Sequence, residues 1–205
     1  IVMDTLRAEC PWDKKQTIQT LSNLTVEEVY ELTEAIALED WDNLKEELGD
    51  VLLHILFYAK IASEKGKFTL SDIMSTQIEK LRRRHPHIYG DLKVADEAEV
   101  KRNWEQIKLS EGKKSVLGGV PKSLTAVIKA YRMQDKAAQV GFEWEKSEDV
   151  WLKVQEEMDE LHEVMEDPKA PQDRKIEEFG DVMFALVSYA RFNNREPGQA
   201  LRKVN

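Results

Sequence analysis

The sequence predicts an all-α fold, built as a tandem repeat of helical-bundle units. Three observations carry this: apolar residues recur at three- and four-residue spacings, no segment keeps strict alternation, and one acidic pattern is written twice. The pattern reads EEVYELTEAIALEDWDNLKEELGD over 27–50 and EEMDELHEVMEDPKAPQDRKIEEFGD over 156–181. Both copies open EExxEL, close on E-(L/F)-G-D and run on into an apolar stretch that starts with Val. Self-similarity of this kind marks a repeated pair of helices.

Taken in order, Leu24, Val29, Leu32, Ile36 and Ala37 form the first helical stripe, and Thr25 with Glu28 three residues on reads as a capping box. A second helix is expected over 43–62, polar at first and then apolar on nearly every side through VLLHILFYA. Such a helix belongs at the centre of a core. Lys60, Lys65 and Gly66 mark its end. A third runs from Ser71, with Asp72 in its first turn, through KLRRRHPH, and Pro86 stops it. Residues 97–110 read as a helix carrying Trp104 and Lys108. The Gly-rich stretch GKKSVLGGVP at 112–121 reads as a linker between domains 1–111 and 122–205. Helices follow over 124–139, 148–165 and 174–193, with a last start at Pro197.

Charge and composition exclude several functions. A net charge of −9 and a pI near 5.1 argue against nucleic acid as partner, which calls for a basic footprint. The single cysteine, Cys10, forms no internal disulfide and points to a reducing cytoplasm. The longest apolar run, 51–59, contains His54 and is too short to cross a bilayer, and no leader segment is visible. There is no Walker loop, GxSxG elbow, HExxH or CxxC, so catalysis by a side-chain nucleophile is disfavoured. An acidic chain still binds polyphosphate when divalent cations lie between the two sets of negative charge.

The repeated pattern supplies a place for such cations. Aligning the copies sets Glu28 on Glu157, Glu31 on Glu160, Glu47 on Glu178 and Asp50 on Asp181. Residues three apart share a helix face, and a short connection makes the two helices antiparallel neighbours. Each copy then points four carboxylates into one volume, with Gly49 and Gly180 expected to let the backbones approach. Carboxylates so crowded repel and raise one another's pKa unless cations join them. Oxygen-only ligands favour Mg²⁺, with Mn²⁺ also suited. A lone ExxE is usually a solvated face. Here the pair Glu47 and Asp50 sits at the mouth of an apolar helix, and the arrangement recurs. His54 has Ala185 as its counterpart and reads as a core or outer-shell histidine. Glu34 and Glu163 read as solvated, and Glu27 and Glu156 point to another face.

Other residues leave two readings open. Lys80, Arg83 and Arg84 share a face and either clamp phosphate oxygens or complement the helix dipole. Trp104 and Lys108, one turn apart, either meet a base and a phosphate or form a half-buried Trp beside a snorkelling Lys. Trp12, in CPWDKKQT, lines a base pocket or staples the N-terminus.

CPWDKKQT, LTVEEVYEL…LKEELGDVL, EKLRRRHPHIYGD and NWEQIK, in this order, resemble the signature segments of the MazG family of nucleoside triphosphate pyrophosphohydrolases. The second EExxE…EFGD is similar to the tandem architecture of its longer members, and the resemblance covers nearly the whole chain. It implies Mg²⁺-dependent hydrolysis of (deoxy)nucleoside triphosphates to monophosphate and pyrophosphate by a homodimer or higher oligomer. The implied metal ligands are Glu28, Glu31, Glu47 and Asp50, then Glu157, Glu160, Glu178 and Asp181. Lys80, Arg83, Arg84, Trp104 and Lys108 are the implied substrate contacts. ALRKVN resembles the start of a second basic helix, but the counterparts of Lys80 and Trp104 fall beyond Asn205. The second site is therefore expected to be the weaker. Two other classes remain: a non-catalytic nucleotide-sensing or partner-docking regulator, and a di-iron carboxylate bundle. The latter usually adds Glu-x-x-His pairs, which neither copy supplies.

Overall fold

The computed structural model describes residues 2–112 and 115–205, so Lys113 and Lys114 of the expected linker lie outside the described residues. Those described form α-helices and two short 3-10 turns, with no strand among them. The helices are α1 (Val2–Glu9), α2 (Ile18–Leu38), α3 (Trp41–Glu64), α4 (Leu70–Arg84), α5 (Pro86–Tyr89), α6 (Glu97–Ser110), α7 (Ala126–Gln139), α8 (Ser147–Glu166), α9 (Gln172–Phe192) and α10 (Pro197–Arg202). The chain divides into two compact units, Ile1–Gly90 and Asp91–Asn205.

In the first unit α2 begins earlier than the sequence suggested. Thr17, not Thr25, is the cap: its hydroxyl accepts from the Thr20 N–H while the Thr20 hydroxyl accepts from the Thr17 N–H. Thr25 lies inside the helix, where its hydroxyl turns back to the Leu21 carbonyl at 2.9 Å. Thr69 and Asp72 make the same reciprocal cap at the start of α4. Leu21 from α2 packs with Phe57 and Ile61 from α3 into a small core, joined by Met3, Leu24 and Tyr58. Helix α3 is not buried on every side, as its composition suggested. Phe57, Ala59 and Ile61 face the core, but Leu48, Leu52 and Ile55 stay exposed. An α2–α3 pair covers only one side of a helix.

The second unit repeats the pair as α8 and α9, with Val150, Val154, Val164, Ala185 and Val187 buried. Helix α7 packs on α9, and α6 on α7. The sequence grouped α6 with residues 1–111, and among the described residues it packs on α7 in the second unit. The tie is electrostatic: Glu105 on α6 accepts from Lys136 on α7 at 2.9 Å and also pairs with Lys108. Both Glu105 and Lys136 are buried. After α7, Gly141 takes φ +90, a left-handed conformation suited to glycine. The chain turns there to bring Glu143 against Arg191, which it grips with both carboxylate oxygens at 2.7 Å.

Candidate metal centres

Only Glu39 and Asp40 join α2 to α3. Glu39 takes φ 54 and its N–H reaches the Ala35 and Ile36 carbonyls, while Asp40 caps α3 through the Asn43 N–H at 3.1 Å. This tight reversal sets Glu28 across from Glu47 and Asp50. Each of the three offers an oxygen within 4.8 Å of the others. Glu47 is buried, and its Oε2 has no hydrogen-bond partner among the described residues. Glu31 is exposed and stands outside the set, though its charge acts on both Glu28 and Glu47. Close backbone approach is not what Gly49 and Gly180 provide: a Cβ at either would meet nothing within 4 Å.

Two carboxyls in this bracket are pushed above their ordinary range. For Glu28 the largest cause is burial, followed by the charges of Asp50 and Glu31, with His54 opposing. For Glu47 it is again burial, then Glu31, Asp50 and Glu28. The donor set is all oxygen, one oxygen of Glu47 is buried without a partner, and His54 offsets the mutual repulsion only at Glu28 and only in part. These residues fit a hard divalent cation.

A raised folded-state pKa gives a signed prediction. The bracket's favourable contribution to folding is complete below the unfolded glutamate value of about 4.3 and is lost as pH rises through the raised folded values. The metal-free chain should therefore melt lower as pH climbs toward neutrality. Glu47→Gln should flatten that fall, and Mg²⁺ or Mn²⁺ at pH 7 should raise the melting temperature of the parent. Differential scanning fluorimetry with and without chelator reads all three.

The second copy converges differently. Glu157, Glu160 and Glu178 offer oxygens within 4.8 Å of one another, while Asp181 is exposed and outside the set. Sequence reasoning missed two cations here. Lys153 reaches Glu157 at 2.8 Å and Glu156 at 2.9 Å, and Arg174 lies 3.6 Å from Glu178. Those hydrogen bonds, Glu157 first, hold the Lys153 ammonium above its ordinary range. The aligned positions in the first copy are Leu24 and Asn43, so among the described residues the first bracket has no counterpart of either cation. The signal was present in the four-residue spacing of Lys153 to Glu157 and Arg174 to Glu178. This bracket opens on a cavity of about 460 Å³, its walls including Phe142, Trp144, Phe184, Lys153, Glu157 and Asp181.

The remaining candidates fall as follows. Lys80 and Arg84 are half-buried and Arg83 exposed, at the end of α4 in the unit that holds the first bracket. Trp104 and Lys108 are half-buried on α6, in the second unit, where Lys108 is anchored to Glu105. Trp12 packs edge-on against Phe57 with ring centroids 6.4 Å apart. His54 is buried, its Nε2 4.0 Å from the Glu28 carboxylate. Glu27, Glu34, Glu156 and Glu163 are exposed, as expected of a solvated face.

Residues 16–89 match the MazG nucleotide pyrophosphohydrolase domain, a span that includes the first bracket and the basic end of α4. A nucleoside triphosphate pyrophosphohydrolase of Escherichia coli K12 is 42% identical over 200 residues, covering 96% of this chain and 76% of that protein. The nucleoside triphosphate pyrophosphohydrolase/pyrophosphatase MazG of Thermotoga maritima is 45% identical over 208 residues, covering 99% and 78%. The uncharacterized protein YabN of Bacillus subtilis is 50% identical over 200 residues, which cover 96% of this chain and 40% of that protein. With similarity at this level spanning both brackets, the chain belongs to the MazG nucleotide pyrophosphohydrolase family.

Proposed function

We propose that the chain hydrolyses ribo- and deoxyribonucleoside triphosphates to the monophosphate and pyrophosphate, with Mg²⁺ or Mn²⁺ held by its carboxylate brackets. The observation that carries this is the convergence of Glu28, Glu47 and Asp50 around a buried, unpartnered carboxylate oxygen, in a chain whose relatives are named for this activity. Glu28, Glu31, Glu47 and Asp50 hold the cation in the first copy. Glu157, Glu160, Glu178 and Asp181 do so in the second. When bound, a divalent cation offsets phosphate charge and makes a nearby water more acidic.

The chain's own groups do the rest. Bracket carboxylates orient the water and take its proton as its oxygen bonds to phosphorus and the P–O–P bridge to pyrophosphate opens. Lys80, Arg83 and Arg84 meet the charge on the departing pyrophosphate. Trp104 and Lys108 contact the nucleotide, Lys108 held in place by Glu105. At the second bracket Lys153 meets the phosphates, and Phe142 with Trp144 gives the base an aromatic wall. The exposed apolar flank of α3, with Leu48, Leu52 and Ile55, is covered by a second copy of the chain. The role that follows is removal of non-standard or surplus nucleotides in the cytoplasm.

A panel of nucleoside triphosphates, assayed for pyrophosphate and for orthophosphate with Mg²⁺ present, tests the reading. Pyrophosphate as the sole inorganic product is expected. Tight nucleotide binding with no turnover would instead identify a nucleotide-sensing regulator.

A further inference from the structure

One turn beyond the first bracket, four groups from α2 and α3 form a hydrogen-bond chain that the second copy lacks. The Thr25 hydroxyl lies 2.9 Å from the Leu21 carbonyl, 2.6 Å from the Tyr58 hydroxyl and 2.7 Å from His54 Nδ1. A threonine hydroxyl has one proton and two lone pairs. With that proton on the Leu21 carbonyl, which can only accept, Tyr58 and His54 Nδ1 both donate to Thr25. The neutral imidazole is thereby held as the Nδ1–H tautomer, with the Nε2 lone pair turned toward Glu28 Oε1, 4.0 Å away.

Two acceptors face each other at a separation too long for a direct hydrogen bond. A single water about 2.8 Å from each would subtend an angle of about 90°, close to the angle between its own two O–H bonds. The aligned positions in the second copy are Val154, Ala185 and Tyr189, and Tyr189 instead packs its ring on Trp151 at 5.0 Å. Among the described residues, these three set no histidine against Glu157.

We propose that His54 is a catalytic residue of the first bracket: its Nε2 and the Glu28 carboxylate together seat the water that is consumed, and Thr25 and Tyr58 are positioning residues that aim the ring. This rests on the hydrolytic reading given above, and makes the two brackets unequal in how they hold water.

Two measurements test it. In the metal-free parent at about pH 8, ¹⁵N-edited NMR of the imidazole should show Nδ1 protonated and Nε2 bare, and Thr25→Val, which copies Val154, should abolish that bias. A ring protonated at Nε2 would overturn the proposal whatever the kinetics. The second measurement uses a Glu157→Gln/Glu178→Gln background, which leaves the first bracket alone. There His54→Ala should lower kcat about 10- to 100-fold with KM for the nucleotide nearly unchanged, and His54→Gln should recover part of the loss. Unchanged kcat in His54→Ala, while the background itself still turns over, would sink this proposal and leave the hydrolytic reading standing. A background with no turnover while the parent still releases pyrophosphate would place the activity at the second bracket and sink this proposal alone, and a parent with no turnover would sink both.

Discussion

Glu105→Ala is expected to destabilise the second unit by about 3–5 kcal/mol, the usual cost of removing one partner of a buried ion pair. Glu105 is 2% exposed and Lys136 3% exposed, so the alanine leaves an ammonium in the interior without its counter-charge. Burial alone would push the Glu105 carboxyl up, but hydrogen bonds from Lys108 and Lys136 outweigh it and hold the carboxyl below its ordinary range. A depressed folded-state pKa contributes stability above the unfolded value and loses it as pH falls through the folded one. Acid should therefore loosen the parent here and have less left to take from the variant. Replacing both partners, as Glu105→Leu with Lys136→Met, should recover most of the loss, because apolar substitutes carry no desolvation cost. Urea unfolding followed by tryptophan fluorescence reads each case. A parent-like curve for Glu105→Ala would show that the α6–α7 contact is not held by this pair.

Much of the architecture was legible because helix periodicity and capping are local. The doubled acidic pattern gave the two hairpins, and of the eight carboxylates it aligned, three in each copy converge while Glu31 and Asp181 stand outside. What escaped notice depended on partners remote in sequence. Thr25 looked like a cap, because Glu28 follows at capping-box spacing, yet Thr17 and Thr20 make the cap and Thr25 is recruited to His54. The stretch VLLHILFYA looked central, but composition cannot reveal that α2 covers only one of its sides. The boundary expected at 112–121 followed glycine content, and the buried pairing of Glu105 with Lys136, 31 residues away, is invisible to composition.

The second bracket holds the more instructive difference. Its following basic helix was expected to lie beyond Asn205, and this made the site look unfurnished. Lys153 and Arg174 supply cations from within the hairpin itself. Their residue types carry no signal apart from spacing, and four-residue Lys–Glu pairs are common on solvated helices. In the first bracket, by contrast, no such pair intervenes among the described residues, and burial with mutual repulsion pushes the Glu28 and Glu47 carboxyls above their ordinary range.

The most direct measurement on the carboxylate brackets removes Asp50 and Asp181 together. Each lies one turn along from a buried or half-buried glutamate, Glu47 or Glu178, and is proposed to bind cation while sparing the core, since both side chains reach the surface or its edge. Divalent-cation assistance is worth several kcal/mol of transition-state stabilisation, each ~1.4 kcal/mol being tenfold in rate. The double variant Asp50→Ala/Asp181→Ala should therefore release pyrophosphate about a thousandfold more slowly than the parent, or slower still, with its helical circular dichroism unchanged. The residual rates of the two single variants should sum to that of the parent, dividing the activity between the brackets. A double variant that folds and keeps the full Mg²⁺-dependent rate would contradict the account.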